Sequence, residues 1–386
     1  MSIREKAYAK INLGLRILGE RADGYHDIRT VMQTVDLCDT LIFEERESGI
    51  EIVCSSPTVP EGSDNLAYQA ADRLLWETGC ERGVRIKMEK RIPIGAGLGG
   101  GSSDAAAALR GLCRLWNVEV ASKKLHRMAA SLGSDVPFFL RSGTAIASGR
   151  GELLRYISAP EPVFYVLVYP GFPISTGWAY RNLKMPLTFE GKYINFVASL
   201  KEPGVLSKAF YPCIENDFSR LVEKHHPAVK NIRERLMTLG AFKTSLSGSG
   251  STVYGIFERR DEAKIAAEKM REPGWEVFLC RPVQRTYRNG HRCFEERDMP
   301  TISMFFGIII RMYFGPKEHN PPHFHAYYQD TKATLDLNTC EIIEGNLPSR
   351  QRKLVLAWAE LHRDELLADW NLAMNGEIPF KIDPLR

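Results

Sequence analysis

The densest run of residues able to do chemistry is Pro93-Ile94-Gly95-Ala96-Gly97-Leu98-Gly99-Gly100-Gly101-Ser102-Ser103. Where side chains are missing, consecutive backbone N–H groups can curl around phosphate oxygens. The alanine-rich stretch that follows predicts a helix starting near Ser103, whose positive dipole end would point at the same place. Ser102 and Ser103 add hydroxyls for a phosphate, or for a magnesium ion bridging phosphates. A plain strand-to-helix turn needs one or two glycines, whereas five stand here within seven residues. Gly95, Gly97 and Gly100 also satisfy Gly-x-Gly-x-x-Gly, with Glu119 about 20 residues on. The chain lacks the alternating strand–helix series that a dinucleotide-binding sheet requires. No lysine precedes the serines, so the run is not a Walker A loop, and no Asp-Phe-Gly of the protein kinases is present. A phosphate loop of this kind needs a cation from elsewhere in the chain.

A second glycine-rich loop, Ser245-Leu-Ser247-Gly248-Ser249-Gly250-Ser251-Thr252, is denser in Gly and Ser than a hairpin turn requires. Near the N-terminus, Tyr8 to Leu15 alternates as a strand. Ala9, Ile11, Leu13 and Leu15 face one way, and Lys10 and Asn12 the other, so Asn12 can reach whatever Lys10 reaches. Taken singly, Lys10 is an ordinary solvated strand lysine, and Asp135 a turn residue ahead of Val136-Pro137.

The elements that must position these residues are legible in outline. Asp23-Gly24 signals a turn, and Ile28–Val35 and Thr40–Glu44 read as further strands. Asn65 precedes a helix over Leu66–Glu77, closed by Gly79. A strand over Val84–Glu89 feeds the first glycine loop, whose helix runs through Trp116. Further helices are predicted at Lys123–Leu132, Ile194–Leu200, Pro227–Leu239 and Asp261–Met270, and further strands at Val163–Val168, Val253–Phe257 and Trp275–Cys280.

Composition narrows the class. With 51 Lys+Arg against 47 Asp+Glu over 386 residues, the excess is small and forms no basic stripe, so nucleic acid is not an expected partner. The longest apolar run, Ile302–Ile310, is about half of the ~20 residues a membrane helix needs. The start of the chain has no signal-peptide pattern. Eight scattered cysteines without a Cys-x-x-Cys pair fit reduced thiols, and the expected location is cytoplasmic.

The two glycine-rich loops resemble the second and third motifs of the GHMP kinases, the galacto-, homoserine, mevalonate and phosphomevalonate kinases. Ala9-Lys10-Ile-Asn12-Leu and Arg21-Ala-Asp-Gly-Tyr25-His26 narrow the resemblance to the branch that acts on a cytidine-diphosphate-linked methylerythritol in the non-mevalonate isoprenoid route. The match spans about residues 1–283. It implies an α+β, two-lobed fold: an N-terminal lobe like domain 2 of ribosomal protein S5 over residues 1–155, then a ferredoxin-like lobe over 156–283. It further implies transfer of the ATP γ-phosphoryl to the 2-hydroxyl, with Mg2+ held chiefly by ATP oxygens and no metal site of the chain's own.

Under the resemblance Lys10 and Asp135 form the catalytic pair, Asp135 taking the hydroxyl proton. Pro93 to Ser103 would bind ATP. Asn12, Tyr25, His26, Thr176 and Tyr180 would bind substrate, with Tyr25 stacking on the pyrimidine and His26 bonding its edge. Ser247, Gly248, Ser249 and Gly250 would support the site, and Met32 stands where some relatives carry an aromatic residue. The alternatives are another GHMP activity, such as homoserine or mevalonate phosphorylation, or an inert kinase-fold binding protein.

Residues 284–298 are polar and basic without a period and read as a linker. Residues 299–386 hold 9 Lys+Arg against 11 Asp+Glu and lie outside the kinase resemblance. They resemble a family of small, usually free-standing bacterial proteins of unknown function. A short sheet followed by helices over Arg350–Glu360 and Asp364–Asn375 is expected. His319, His323 and His325 admit a metal reading, against which stands the lack of a nearby Cys or obvious carboxylate. They equally suit a surface for an unknown partner.

Overall fold

The computed structural model describes residues 2–157, 163–183, 208–283, 301–312, 322–329, 331–374, 380 and 382–385. The chain divides into two units, residues 1–290 and 291–386. The predicted helix at 194–200, the linker at 284–298 and His319 lie outside the described residues.

In the first unit, β1 (Ser2–Glu20) and β2 (His26–Arg46) form a long antiparallel ribbon. β2 is one strand of 21 residues where the sequence suggested two. The polar stretch around Asp36 to Asp39 looks like a break, yet Asp39 is fully buried and its Oδ1 accepts from the Arg91 and Ile92 N–H groups at 2.5 and 2.8 Å. The two halves of β2 serve different neighbours. Thr30–Gln33 pairs with β5 (Thr144–Ser148), and Thr40–Arg46 pairs with β4 (Gly83–Glu89). β3 (Ile50–Cys54) and β6 (Leu153–Ile157) complete the sheet, in the order β3-β4-β2-β5-β6 with β1 on β2.

Helices α1 (Leu66–Thr78) and α2 (Gly100–Leu115) pack on this sheet. The Asn65 side chain caps α1 by accepting from the Ala67 N–H, and Gly79 ends it in a left-handed conformation. Ala105 to Ala108 are wholly buried, and Gly111 sits so close to β2 that a Cβ there would lie 2.4 Å from the Phe43 ring. Small residues therefore bring the start of α2 tightly onto the sheet.

The second sheet of this unit contains β7 (Phe164–Tyr169), β8 (Lys243–Leu246), β9 (Val253–Phe257) and β10 (Glu276–Cys280), all antiparallel, in the order β10-β7-β9-β8. With helices Pro227–Thr238 and Arg260–Lys269 between strands, this is the ferredoxin-like arrangement. One face packs Val166, Val168, Val253 and Phe257 against those helices. The other packs Tyr165, Leu167, Tyr254 and Ile256 with Ala9, Ile11 and Leu13 of β1. β1 thus pairs with β2 by its backbone and packs on the second sheet by alternate side chains, which leaves Lys10 and Asn12 facing the remaining space.

The second unit is an antiparallel sheet of five strands, β11 (Thr301–Phe305), β12 (Ile308–Arg311), β13 (His323–Tyr328), β14 (Thr331–Asp336) and β15 (Ile342–Gly345), in sequential order. Helices Ser349–Leu361 and Arg363–Met374 follow, and Trp358 packs on Phe324 with ring centroids 6.0 Å apart. His323 and His325 do share a face. Their cross-strand neighbours are Asp336 and Thr334, and His325 Nδ1 lies 3.1 Å from Thr334 Oγ1. Asp336 is the carboxylate neighbour that the sequence did not make obvious. Among the described residues, no group of three or more His, Cys, Asp or Glu is arranged to hold a metal. No helix among them is long and apolar enough to cross a membrane.

Candidate active site

β1 carries Lys10 and Asn12 into the interior, where Lys10 is 5% and Asn12 1% exposed. A buried ammonium must be paired to be tolerated. Lys10 Nζ donates to Asn12 Oδ1 at 2.6 Å and meets Asp135 Oδ2 at 3.1 Å. Asn12 is oriented in turn, since its Nδ2 donates to Thr30 Oγ1 at 2.9 Å and that hydroxyl donates to the Gly14 carbonyl at 2.6 Å. Asp135 stands immediately before the short helix Val136–Arg141, and its side chain is more open than that of Lys10, at 29% exposure. The strand amine and the distant acid therefore meet, although 124 residues separate them as the numbering counts.

Lys10, Asn12 and Asp135 line one cavity of about 1080 Å³. Its floor is the first glycine loop, which is tied to β1 by the Lys10 N–H donating to the Leu98 carbonyl at 2.9 Å. Gly97 has φ +78°, and a Cβ there would lie 2.2 Å from the Ser247 carbonyl oxygen, so no other residue fits. Helix α2 starts at Gly100, three residues earlier than predicted, because the glycines themselves form its first turn. The first N–H groups of a helix have no partner within it, and here Gly99 to Ser102 line the cavity. Leu98 and Ser103 do not. Both are buried, at 1% and 2% exposure, because the helical turn carries Ser103 into the core.

The second glycine loop closes against the first. Ser247 Oγ donates to the Gly97 carbonyl at 2.9 Å and accepts from the Asn12 N–H at 3.4 Å. Asn216 Nδ2 donates to the Leu246 and Gly248 carbonyls, both at 2.8 Å. Gly248 and Ser249 reach the cavity, whereas Ser247 and Gly250 serve behind it. Thr176 Oγ1 lies 3.1 Å from Ser249 Oγ, so this threonine joins the loop to the opposite wall.

At the other end, His26 stacks on Tyr180, with centroids 4.7 Å apart and planes 29° from parallel. Burial, with Asp135 adding to it, pushes the Tyr180 phenol up to about 12, so it stays a neutral donor. Tyr25 is 54% exposed, and one of its neighbours is Arg150, whose guanidinium carbon lies 4.8 Å from the ring centroid. Met32 is buried in the wall between the two ends.

Sequence reasoning missed the cation the loop needs close by. Lys90, at the end of β4, reaches Asp39 Oδ2 and Asp104 Oδ2, each at 2.5 Å, and lines the cavity beside Gly100. Burial, reinforced by Asp39 and opposed by Lys90, raises the Asp104 carboxyl to about 7. Its Oδ1 is buried without a hydrogen-bond partner. The signal was present in the aspartate inside an otherwise uncharged Gly-Ser-Ala run, but only the fold pairs it with Lys90.

Comparison with known proteins matches residues 65–143 to the GHMP kinases N terminal domain and 206–274 to the GHMP kinases C terminal domain. Residues 307–371 match a domain of unknown function, DUF4160. A protein of Acetivibrio thermocellus named 4-diphosphocytidyl-2-C-methyl-D-erythritol kinase is 39% identical over 290 residues, covering 73% of this chain and 99% of its own. One of the same name from Chlorobium phaeobacteroides is 45% identical over 276 residues, covering 70% and 94%. A solved 4-(cytidine 5'-diphospho)-2C-methyl-D-erythritol kinase aligns with a TM-score of 0.59 at 37% identity, over 72% of this chain and 99% of that one.

Proposed function

This chain belongs to the 4-diphosphocytidyl-2-C-methyl-D-erythritol kinases of the GHMP kinase family, and from that premise we propose a reaction and a role for each residue of its site. The enzyme is an ATP-dependent small-molecule kinase that phosphorylates the 2-hydroxyl of 4-diphosphocytidyl-2-C-methyl-D-erythritol, a step of the non-mevalonate isoprenoid route. The observation that carries the assignment of roles is the 3.1 Å contact of Lys10 with Asp135 above a glycine-rich helix start.

Bound ATP supplies the phosphoryl group and the leaving ADP. The chain supplies positioning and charge, which is most of what phosphoryl transfer asks of a protein. Asp135 accepts the proton of the attacking hydroxyl at its carboxylate, within reach of the Lys10 ammonium that orients it. Lys10 also offsets negative charge on the transferring group, and Asn12 fixes its aim. Backbone N–H groups over Gly99 to Ser102 hold the phosphates, with Lys90 beneath them. Mg2+ would enter with the ATP and would offset the charge of its phosphates. Of the carboxylates that line the cavity, Asp135 and Asp104 are each already paired with a lysine, which fits a metal held mainly by the nucleotide. His26, Tyr180 and Tyr25 form the cytidine end, and the first lobe runs to the end of β6 at Ile157, two residues past the expected 155, with the second lobe continuing to 283.

The test is ADP release by the purified full chain with 4-diphosphocytidyl-2-C-methyl-D-erythritol, homoserine or mevalonate as acceptor, with 31P NMR to locate the new ester. Turnover with the cytidyl compound alone is expected. Turnover with homoserine alone refutes the assignment.

A further inference from the structure

Four cationic side chains line the cavity among the described residues: Lys10, Lys90, Arg150 and Arg181. Lys10 is committed to Asp135 and Asn12, and Lys90 to Asp39 and Asp104. Arg150 is not committed in this way. Its nearest carboxylate, Glu152 Oε1, is 3.9 Å from Nε, and its guanidinium makes no hydrogen bond among the described residues. It sits over the Tyr25 ring instead, a contact that guanidinium groups make readily while their N–H edge stays available.

The backbone around Arg150 is held firmly. The Ile28 N–H donates to the Gly149 carbonyl at 2.7 Å, and the Arg150 N–H donates to Glu152 Oε2 at 2.8 Å. Gly151, at φ +115°, passes so close to the acid that a Cβ on it would lie 3.7 Å from Asp135 Oδ1. The residue therefore touches the cytidine end through Tyr25 and abuts the acceptor end through Gly151. A cytidine diphosphate ester whose base lies at His26 and Tyr180, and whose hydroxyl lies at Asp135, must carry two anionic phosphates across that interval.

We infer that Arg150 receives the diphosphate of the substrate and so selects a nucleoside diphosphate ester over an uncharged nucleoside. The inference rests on the cytidyl-substrate reading above. Arg181 lines the same cavity from the helix Thr176–Asn182, directly after Tyr180, whereas Arg150 lies next to Gly151, the residue that approaches Asp135.

The test titrates the full chain calorimetrically with cytidine and with CDP. The wild type should bind CDP on the order of tenfold more tightly than cytidine, the scale of one or two charge-assisted hydrogen bonds at a partly solvated site. Arg150→Ala should weaken CDP about tenfold and leave cytidine within twofold, and Arg150→Lys should recover part of the loss. If Arg150→Ala does not fold, Arg150→Gln keeps a planar group over Tyr25 and serves in its stead. A variant that binds CDP as the wild type does, or loses CDP and cytidine equally, overturns the role of Arg150. A wild type that binds neither ligand overturns the cytidyl reading itself, which separates the two failures.

Discussion

Substituting Asp135→Asn keeps the shape of the side chain and removes its charge and its capacity to take a proton. At 3.1 Å the Lys10–Asp135 attraction amounts to about 5 kcal/mol with an effective dielectric of 20. Solvent at a carboxylate that is 29% exposed reduces the net value to about 1 kcal/mol. The amide oxygen of the variant can still accept from Lys10, which also keeps its bond to Asn12. The fold should therefore lose only about 1–2 kcal/mol. Catalysis should lose far more, because a positioned general base contributes roughly 10²–10⁴ in rate, or about 3–5 kcal/mol of barrier. The assay pairs kcat for ADP release, with both substrates saturating, with a thermal melt of the same preparation. A variant that keeps kcat within tenfold of the wild type, with its melting temperature preserved, would show that Asp135 takes no proton and that the pairing with Lys10 is structural.

Two further outcomes follow from the loops. Gly97→Ala should destabilise the protein by roughly 2–3 kcal/mol and remove ATP turnover, since its Cβ would enter the Ser247 carbonyl from a left-handed backbone. Gly101→Ala, whose nearest neighbour would be Leu66 Cδ1 at 3.6 Å, should melt near the wild type, and equal melting of the two variants would contradict the close approach of the loops. Asp104 gives a pH dependence with a definite sign. Its carboxyl is held near 7 in the fold against 3.8 when exposed, so between those values the folded state binds the extra proton. Stability should fall as pH rises through that window, and Asp104→Asn should flatten the slope in urea titrations at pH 5 and pH 8. A variant with the wild-type slope would assign the effect elsewhere.

Alternation in β1 was enough to read that Lys10 and Asn12 share a face, and glycine density was enough to find both loops. These signals are local, and backbone geometry follows directly from them. What escaped was set by distant pairing. The aspartates at 36 and 39 look like an interruption of β2, yet Asp39 is buried because Lys90 and two N–H groups from the β4 end complete its shell. Arg150 reads as an ordinary turn residue between two glycines until the sheet brings it to Tyr25. The start of α2 was misjudged for a different reason. Glycine is a poor helix former, so propensity argues against the residues that here begin the helix.

The two-sided role of β1 has a consequence for the order in which the protein matures on the ribosome. Its backbone finds β2 within the first 46 residues, but the cover over Ala9, Ile11 and Leu13 is completed only when β7 and then β9, the strand holding Tyr254, have been synthesised. The Tyr254 hydroxyl then donates to the Asn12 carbonyl across a separation of 242 residues. Lys10, the amine proposed to orient the reaction, is among the first residues made, and its surroundings are among the last to close. A nascent chain that stalls before the second sheet would therefore expose an unfinished apolar strand together with an inactive centre.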